Sequence, residues 1–183
     1  MYPVSRHGQR LELRETDPAD VDSVFAIYGD PGATEHLSFT PRTPVDVRAI
    51  VHRAITSARA APRSEYALAV VERDGGQLVG VGRLASDPHQ QGAATTGFAL
   101  RRESWGIGYG TEMLRLLLAT AFEDLGLHRV WGARSPLNEA SARTMRAVGM
   151  SEEGIIREHV MKDGRWRDSV VHAILDREWT AAH

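Results

Sequence analysis

Cysteine is absent from the 183 residues, which removes disulfides, thiolate zinc sites and a cysteine nucleophile together. Lysine is reduced to one residue, Lys162, so nearly all the positive charge is arginine. Neither sign of charge dominates. The formal net charge of −2 provides no basic field of the kind that holds a polyanion, which argues against a nucleic-acid partner. Long apolar runs are also missing. The longest, residues 113–122, is interrupted by Arg115 and reads as a buried helix, well short of the ~20 residues of a membrane span. The opening residues, 1–7, lack the apolar segment of a secretory signal. No histidine and carboxylate share one predicted helix at i, i+4, the pattern metal sites use, so no metal is expected. These absences predict a cytoplasmic protein with no membrane association. The length and the 42% apolar content fit one domain, residues 1–183, with a single core.

Hydrophobic periodicity supplies the element order. A strand is expected over residues 10–14. Thr16-Asp-Pro18 then starts a helix over 19–28 that buries Val21, Val24, Phe25 and Tyr28. Thr43-Pro44 starts a second helix over 45–59. Two apolar runs, 66–72 and 78–84, flank Arg73-Asp-Gly-Gly76 and read as a hairpin. Further strands are expected over 95–100 and 128–133. A long helix follows the glycine cluster at 105–110 and runs to about 124, and another leads from Asn138 to Gly149. A closing hairpin pairs 153–161 with 166–175 across Lys162-Asp-Gly164. Strands and helices interleave, which predicts an α/β (mixed α+β) architecture. Its centre would be a twisted, mostly antiparallel sheet of about seven strands, with helices on both faces.

The sharpest local feature is Trp105-Gly-Ile-Gly-Tyr-Gly-Thr111, between a strand and a helix. Glycines at alternate positions let backbone N–H groups approach an anion without Cβ atoms in the way. The helix N-terminus behind them favours a pyrophosphate. The same glycines would also serve a tight turn. A Walker loop is excluded because no Lys precedes Thr111, and a dinucleotide fingerprint is excluded by the G-x-G-x-G spacing.

The loop resembles the coenzyme A loop of the GCN5-related N-acetyltransferases (GNAT), Q/R-x-x-G-x-G/A, with Trp105 in the place of Gln or Arg. Gly108-Tyr-Gly-Thr-Glu112 is similar to the RimJ/RimL branch, as are Leu127-His-Arg-Val130, Asn138-Glu-Ala-Ser141 with Gly149-Met150, Arg157-Glu-His159, and Asp163 to Asp168. This resemblance implies the GNAT fold and an N-acetyltransferase. It would move acetyl from acetyl-CoA, its donor substrate, to a primary amine by direct attack. The amine could be a protein N-terminus, a polyamine or a metabolite or antibiotic, and the protein a monomer or homodimer. Two alternatives stay open: a non-catalytic acyl-CoA sensor, or the same fold using a longer acyl-CoA or aminoacyl-tRNA.

The resemblance also implies the site. Donor-binding residues would be Phe98, Leu100, Arg102, Trp105, Gly106, Ile107, Gly108, Tyr109, Gly110, Thr111, Asn138, Ser141 and Arg143. The strand ending at Leu100 and the strand over 128–133 would splay around the pantetheine arm. Backbone N–H groups near Phe98 to Leu100 would polarise the thioester carbonyl. Many relatives protonate the leaving thiolate with a Tyr where this chain has Met145, so Ser141 is the expected acid. The usual Glu base before Gly-Phe is replaced by Thr96. That leaves Glu35 and His36, with Asp87, His89 or a water chain as further routes for the amine's proton. Glu112 is expected to complement the helix dipole.

Overall fold

The computed structural model describes the backbone of residues 2–182 and the side chains of residues 2–179. Its strands are β1 (Ser5–His7), β2 (Leu11–Glu15), β3 (Glu65–Glu72), β4 (Leu78–Ser86), β5 (Ala93–Leu100), β6 (Arg129–Arg134), β7 (Ser151–Lys162) and β8 (Arg165–Leu175). Its helices are α1 (Val21–Tyr28), α2 (Pro31–Thr34), α3 (Pro44–Ala58), α4 (Tyr109–Ala119), α5 (Glu139–Ala147) and α6 (Asp176–Ala182).

Local chemistry sets the boundaries. Thr43 and Asp46 exchange side-chain and backbone bonds across the start of α3, with Pro44 in its first turn. Asp17 and Asp20 do the same for the short 3-10 turn that feeds α1. Asn138 opens α5 by accepting the Ser141 N–H at 3.0 Å.

The strands form one sheet in the order β1-β2-β3-β4-β5-β6-β8-β7. All neighbours are antiparallel except β5 and β6. One face buries Leu68, Val70, Leu84, Val130 and Ile174 against Met113, Leu114 and Leu117 of α4 and Met145 of α5. The other buries Ala69, Val71 and Ala99 against Val24 and Ile27 of α1 and Val47 and Val51 of α3. Side chains of a strand alternate between faces. Phe98 and Leu100 pack on the α4 side and Ala99 on the α1–α3 side, so Gly97 also faces α1 and α3.

Three features depart from the sequence expectation. An eighth strand, β1, pairs Ser5 with Arg14; its three residues carry no apolar alternation, and Arg6 ties it to Glu123 and Asp124. The long helix is α-helical only to Ala119 and continues as a π turn over Thr120–Asp124, where the Thr120 hydroxyl bonds the Leu116 carbonyl. Beyond the last strand, α6 docks the buried Trp179 ring against Phe122, with centroids 6.0 Å apart.

The functional consequence of the fold lies between β5 and β6. Their pairing covers only Ala93 to Thr95 against Arg129 to Trp131. From there β5 stays with β4 through Leu100, while β6 stays with β8 through Arg134, so the two strands diverge. At the point of divergence, a Cβ on Gly132 would lie 3.1 Å from the Thr96 carbonyl oxygen and 3.3 Å from Cε of buried Met145. A side chain there would have to push the Thr96 backbone or Met145 back by a few tenths of an ångström. Gly132→Ala is therefore expected to destabilise the protein by about 1–3 kcal/mol through overpacking, read as a lower urea midpoint with unchanged slope.

Candidate functional site

The glycine loop connects the end of β5 to α4. Gly106 (φ 77°) and Gly108 (φ 88°) both adopt left-handed backbone, and Gly108 caps α4 without any side chain. The Glu112 N–H donates to the Gly108 carbonyl at 3.1 Å and closes the first turn of α4. The N–H groups of Tyr109, Gly110 and Thr111 precede it and are open to an anion. The Trp105 indole donates to the Leu100 carbonyl at 3.1 Å and so ties the loop to the last residue of β5. That carbonyl is occupied, which narrows the backbone groups β5 can offer to a ligand. Arg102 stands 5.9 Å from the Trp105 ring, and Ile107 is exposed.

Tyr109 differs from the expectation in one respect. Its side chain turns towards β3, where the hydroxyl donates to Glu72 at 2.7 Å and the Arg10 guanidinium stacks 4.7 Å from the ring. A polar cavity of about 450 Å³, lined by Gln9, Arg10, Glu72, Arg73, Asp74 and Tyr109, lies on that side. Tyr109 thus offers its backbone to the loop's open side. Glu112 exceeds its expected role as a dipole partner. Its carboxylate accepts from the Arg10 and Leu11 amides at 2.6 and 2.9 Å and from the Arg10 Nε at 3.0 Å.

Helix α5 brings the second half of the loop's surroundings. Thr144 approaches Gly110, so the start of α4 sits beside the second half of α5. Ser141 is half-buried in the first turn of α5, and Arg143 is exposed beside it. Met145 is 2% exposed and wedged against Gly132. Beneath them, the buried His172 accepts from the Arg134 Nε at 3.1 Å, and Glu152 approaches both. Burial, then the neighbouring Arg134, lowers the His172 pKa, as expected of a neutral imidazole inside the sheet.

The other face of the sheet carries Glu35 and His36, in the chain between α2 and α3. Their backbone is gripped from the β7–β8 hairpin. The Lys162 ammonium donates to the carbonyls of Thr34 and Glu35 at 2.7 Å each and of Leu37 at 3.3 Å, and Arg167 donates to His36 at 3.0 Å. The Glu35 side chain is exposed and that of His36 half-buried. Between this segment and the hairpin the sheet is open: a Cβ on Gly97 would meet nothing within 4 Å, and Ala133 and Trp166 are exposed. The Thr96 hydroxyl donates to the Arg83 carbonyl at 3.2 Å. Asp87 is set apart at the paired ends of β5 and β6, where it accepts from the Trp131 indole at 2.8 Å and the His89 amide at 2.9 Å. Those bonds, the His89 amide first, hold its carboxyl below the usual range, which makes it a weak base. His159 is exposed on β7. Among the described residues, no group of three or more His, Cys, Asp or Glu side chains is placed to hold a metal, and no helix is long and apolar enough to cross a membrane.

The sequence profile of the Acetyltransferase (GNAT) domain matches residues 10–151. The chain is a GNAT acetyltransferase. It is 26% identical to the uncharacterized N-acetyltransferase p20 of Bacillus licheniformis over 174 residues, covering 94% of this chain and 97% of that one. It is also 26% identical to the ribosomal protein uS5-alanine N-acetyltransferase of Escherichia coli over 88 residues, 48% of this chain and 45% of the relative. Among solved structures, RimJ of Mycobacterium smegmatis in complex with CoA-disulfide superposes with a TM-score of 0.82 at 21% identity. That match covers 99% of this chain and 95% of RimJ.

Sequence reading of this acetyltransferase missed Arg10 and Gly132. Arg10 lies about a hundred residues before the loop it touches, and Gly132 sits in an otherwise ordinary strand, so neither has a local signal. Glu112 was visible only as an acid in a first turn. Its burial alone would raise its pKa, but the Arg10 and Leu11 amides and the Arg10 guanidinium outweigh that and hold it below the usual range. A carboxyl with a depressed folded pKa stabilises fully above its unfolded value and loses that contribution as pH falls through the folded one. Glu112→Gln is therefore expected to flatten the loss of stability below about pH 4.5, measured as urea midpoints against pH.

Proposed function

We propose that the acetyltransferase moves the acetyl group of acetyl-CoA to the α-amino group at the start of a peptide or protein chain. The observation that carries this reading is that β5 offers no carboxylate beside the open face at Gly97, since the neighbouring Thr96 is buried and turns the other way, towards α4 and α5. At the point of β5 where many relatives hold a carboxylate, this chain has a hydroxyl already donating to a backbone carbonyl. The acceptor must therefore arrive with little need of a base. An α-amine of pKa ~7.7–8.0 is roughly one-tenth neutral at pH 7, whereas a lysine-type amine of pKa ~10.4 is less than about one-thousandth neutral. The open sheet face at Gly97, Ala133 and Trp166 gives an extended chain room that a closed metabolite pocket would not. The relative named for uS5-alanine acetylation is compatible with a protein acceptor.

The family resemblance supports the remaining roles of this reading. The N–H groups from Gly106 to Thr111 hold the pyrophosphate, with Arg102 and Arg143 as flanking charges. The pantetheine arm runs between the diverging edges of β5 and β6, bordered by Phe98 and by Asn138 at the start of α5. Backbone N–H groups near Phe98 to Leu100 polarise the thioester carbonyl. Glu35 and His36 line the acceptor side and relay the amine's proton to water. Attack forms the amide C–N bond and breaks the C–S bond, and Ser141 passes a proton to the departing thiolate. A thiolate of pKa ~8.5 needs only a weak donor. Met145 is unable to supply that proton.

Two measurements check this. Given acetyl-CoA, a peptide with a free N-terminus and blocked lysines should release thiol roughly a hundredfold faster at pH 7 than one with a blocked N-terminus and a free lysine, following the neutral-amine fractions. Equal rates would remove the argument from Thr96, and binding without turnover would point to a sensor. Ser141→Ala should lower kcat about tenfold or more while leaving acetyl-CoA binding nearly unchanged. An unaltered kcat would assign the proton to water.

A further inference from the structure

Arg10 lies in the turn between β1 and β2, yet it makes three kinds of contact with the glycine loop and the helix behind it. Its Nη1 donates to the Ile107 carbonyl at 2.8 Å, its Nε to Glu112 at 3.0 Å, and its guanidinium covers the Tyr109 ring. It is itself fixed, because Glu112 accepts both its own amide and that of Leu11. The contact with Ile107 has a direct geometric effect. In a trans peptide the carbonyl and the following N–H point in opposite directions. Holding the Ile107 carbonyl on the β1–β2 side turns the Gly108 N–H to the other side, where the N–H groups of the first turn of α4 also open. Gly108, at φ 88°, has no side chain to constrain this peptide plane, and its Cα side faces Arg10 Nη2, 3.1 Å from where a Cβ would be.

We infer that Arg10 is a positioning residue for the acyl donor: by anchoring the Ile107 carbonyl from behind, it aims the Gly108 N–H at the pyrophosphate, while its own charge is met by Glu112. The inference rests on the reading of the loop as a pyrophosphate site. It names a residue outside the loop as part of donor recognition, and assigns Glu112 the task of holding that residue.

The test separates this role from a general structural one by using two donors. Acetyl-CoA contains the pyrophosphate and S-acetylpantetheine does not. Arg10→Ala should weaken acetyl-CoA binding about tenfold by calorimetry, the loss expected when one oriented hydrogen bond to an ion is disturbed, and leave S-acetylpantetheine binding unchanged. Arg10→Lys keeps the charge but lacks the planar fork that reaches Ile107 and Glu112 together, so its acetyl-CoA affinity should fall between the two. This variant also decides the matter if Arg10→Ala fails to fold. Equal losses for both donors, or no loss for either, would overturn the inference while leaving the loop reading intact. Wild-type protein that binds acetyl-CoA no better than S-acetylpantetheine would overturn the loop reading, and this inference with it.

Discussion

The divergence of β5 from β6 is the constraint on which the site depends. A sheet normally satisfies its backbone by pairing every interior strand along its length. Here two central strands pair over three residues and then part, with β4 holding one and β8 the other. The cost of opening a sheet at its centre is limited because both strands keep an antiparallel partner on their outer sides. Gly132 permits the close approach at the hinge, and Met145 fills the angle from below. Substituting that methionine by tyrosine would place a hydroxyl where this chain has a packed thioether.

Cations bound to carbonyls define the two ends of the cleft. On one side Arg10 holds the Ile107 carbonyl, and on the other Lys162 and Arg167 hold four consecutive carbonyls from Thr34 to Leu37. These contacts join segments separated by roughly a hundred residues or more, and they use charged donors on neutral acceptors, which are stronger than ordinary amide pairs. The single lysine of the chain is used for one of them. Burial, with Arg167 nearby, lowers its pKa, but three carbonyl partners suit an ammonium and no carboxylate is required.

The chemistry then follows from what the cleft contains. The Thr96 hydroxyl is already engaged with the Arg83 carbonyl, so under the proposed function proton removal would fall to the exposed Glu35 and His36 segment and to water. Under the proposed function the acceptor's own pKa would be the specificity element, so that amines would be discriminated by acidity as well as by shape. Ser141, in the role proposed for it, would be a weak acid matched to a leaving group that is already a stable anion.

The strand–helix order, the hairpins, the caps at Thr43 and Asn138 and the glycine loop were legible in the chain, because each is a matter of local spacing and backbone permissiveness. The loop and the blocks after it also carried the family resemblance. The eighth strand and the docking of Trp179 were not legible, since each is stabilised by partners far away in sequence, and the π turn at Thr120 was not, since it continues the helix without a break in its apolar pattern. The same holds for the site. Sequence by itself determined which residues could approach a phosphate and which position lacked a base. Only the tertiary structure decided that Tyr109 turns to Glu72, that Arg10 and Glu112 stand behind the loop, and that Gly132 lets the sheet open. Side-chain direction and long-range hydrogen bonds are set by packing between elements, and packing has no signature in a local window of residues.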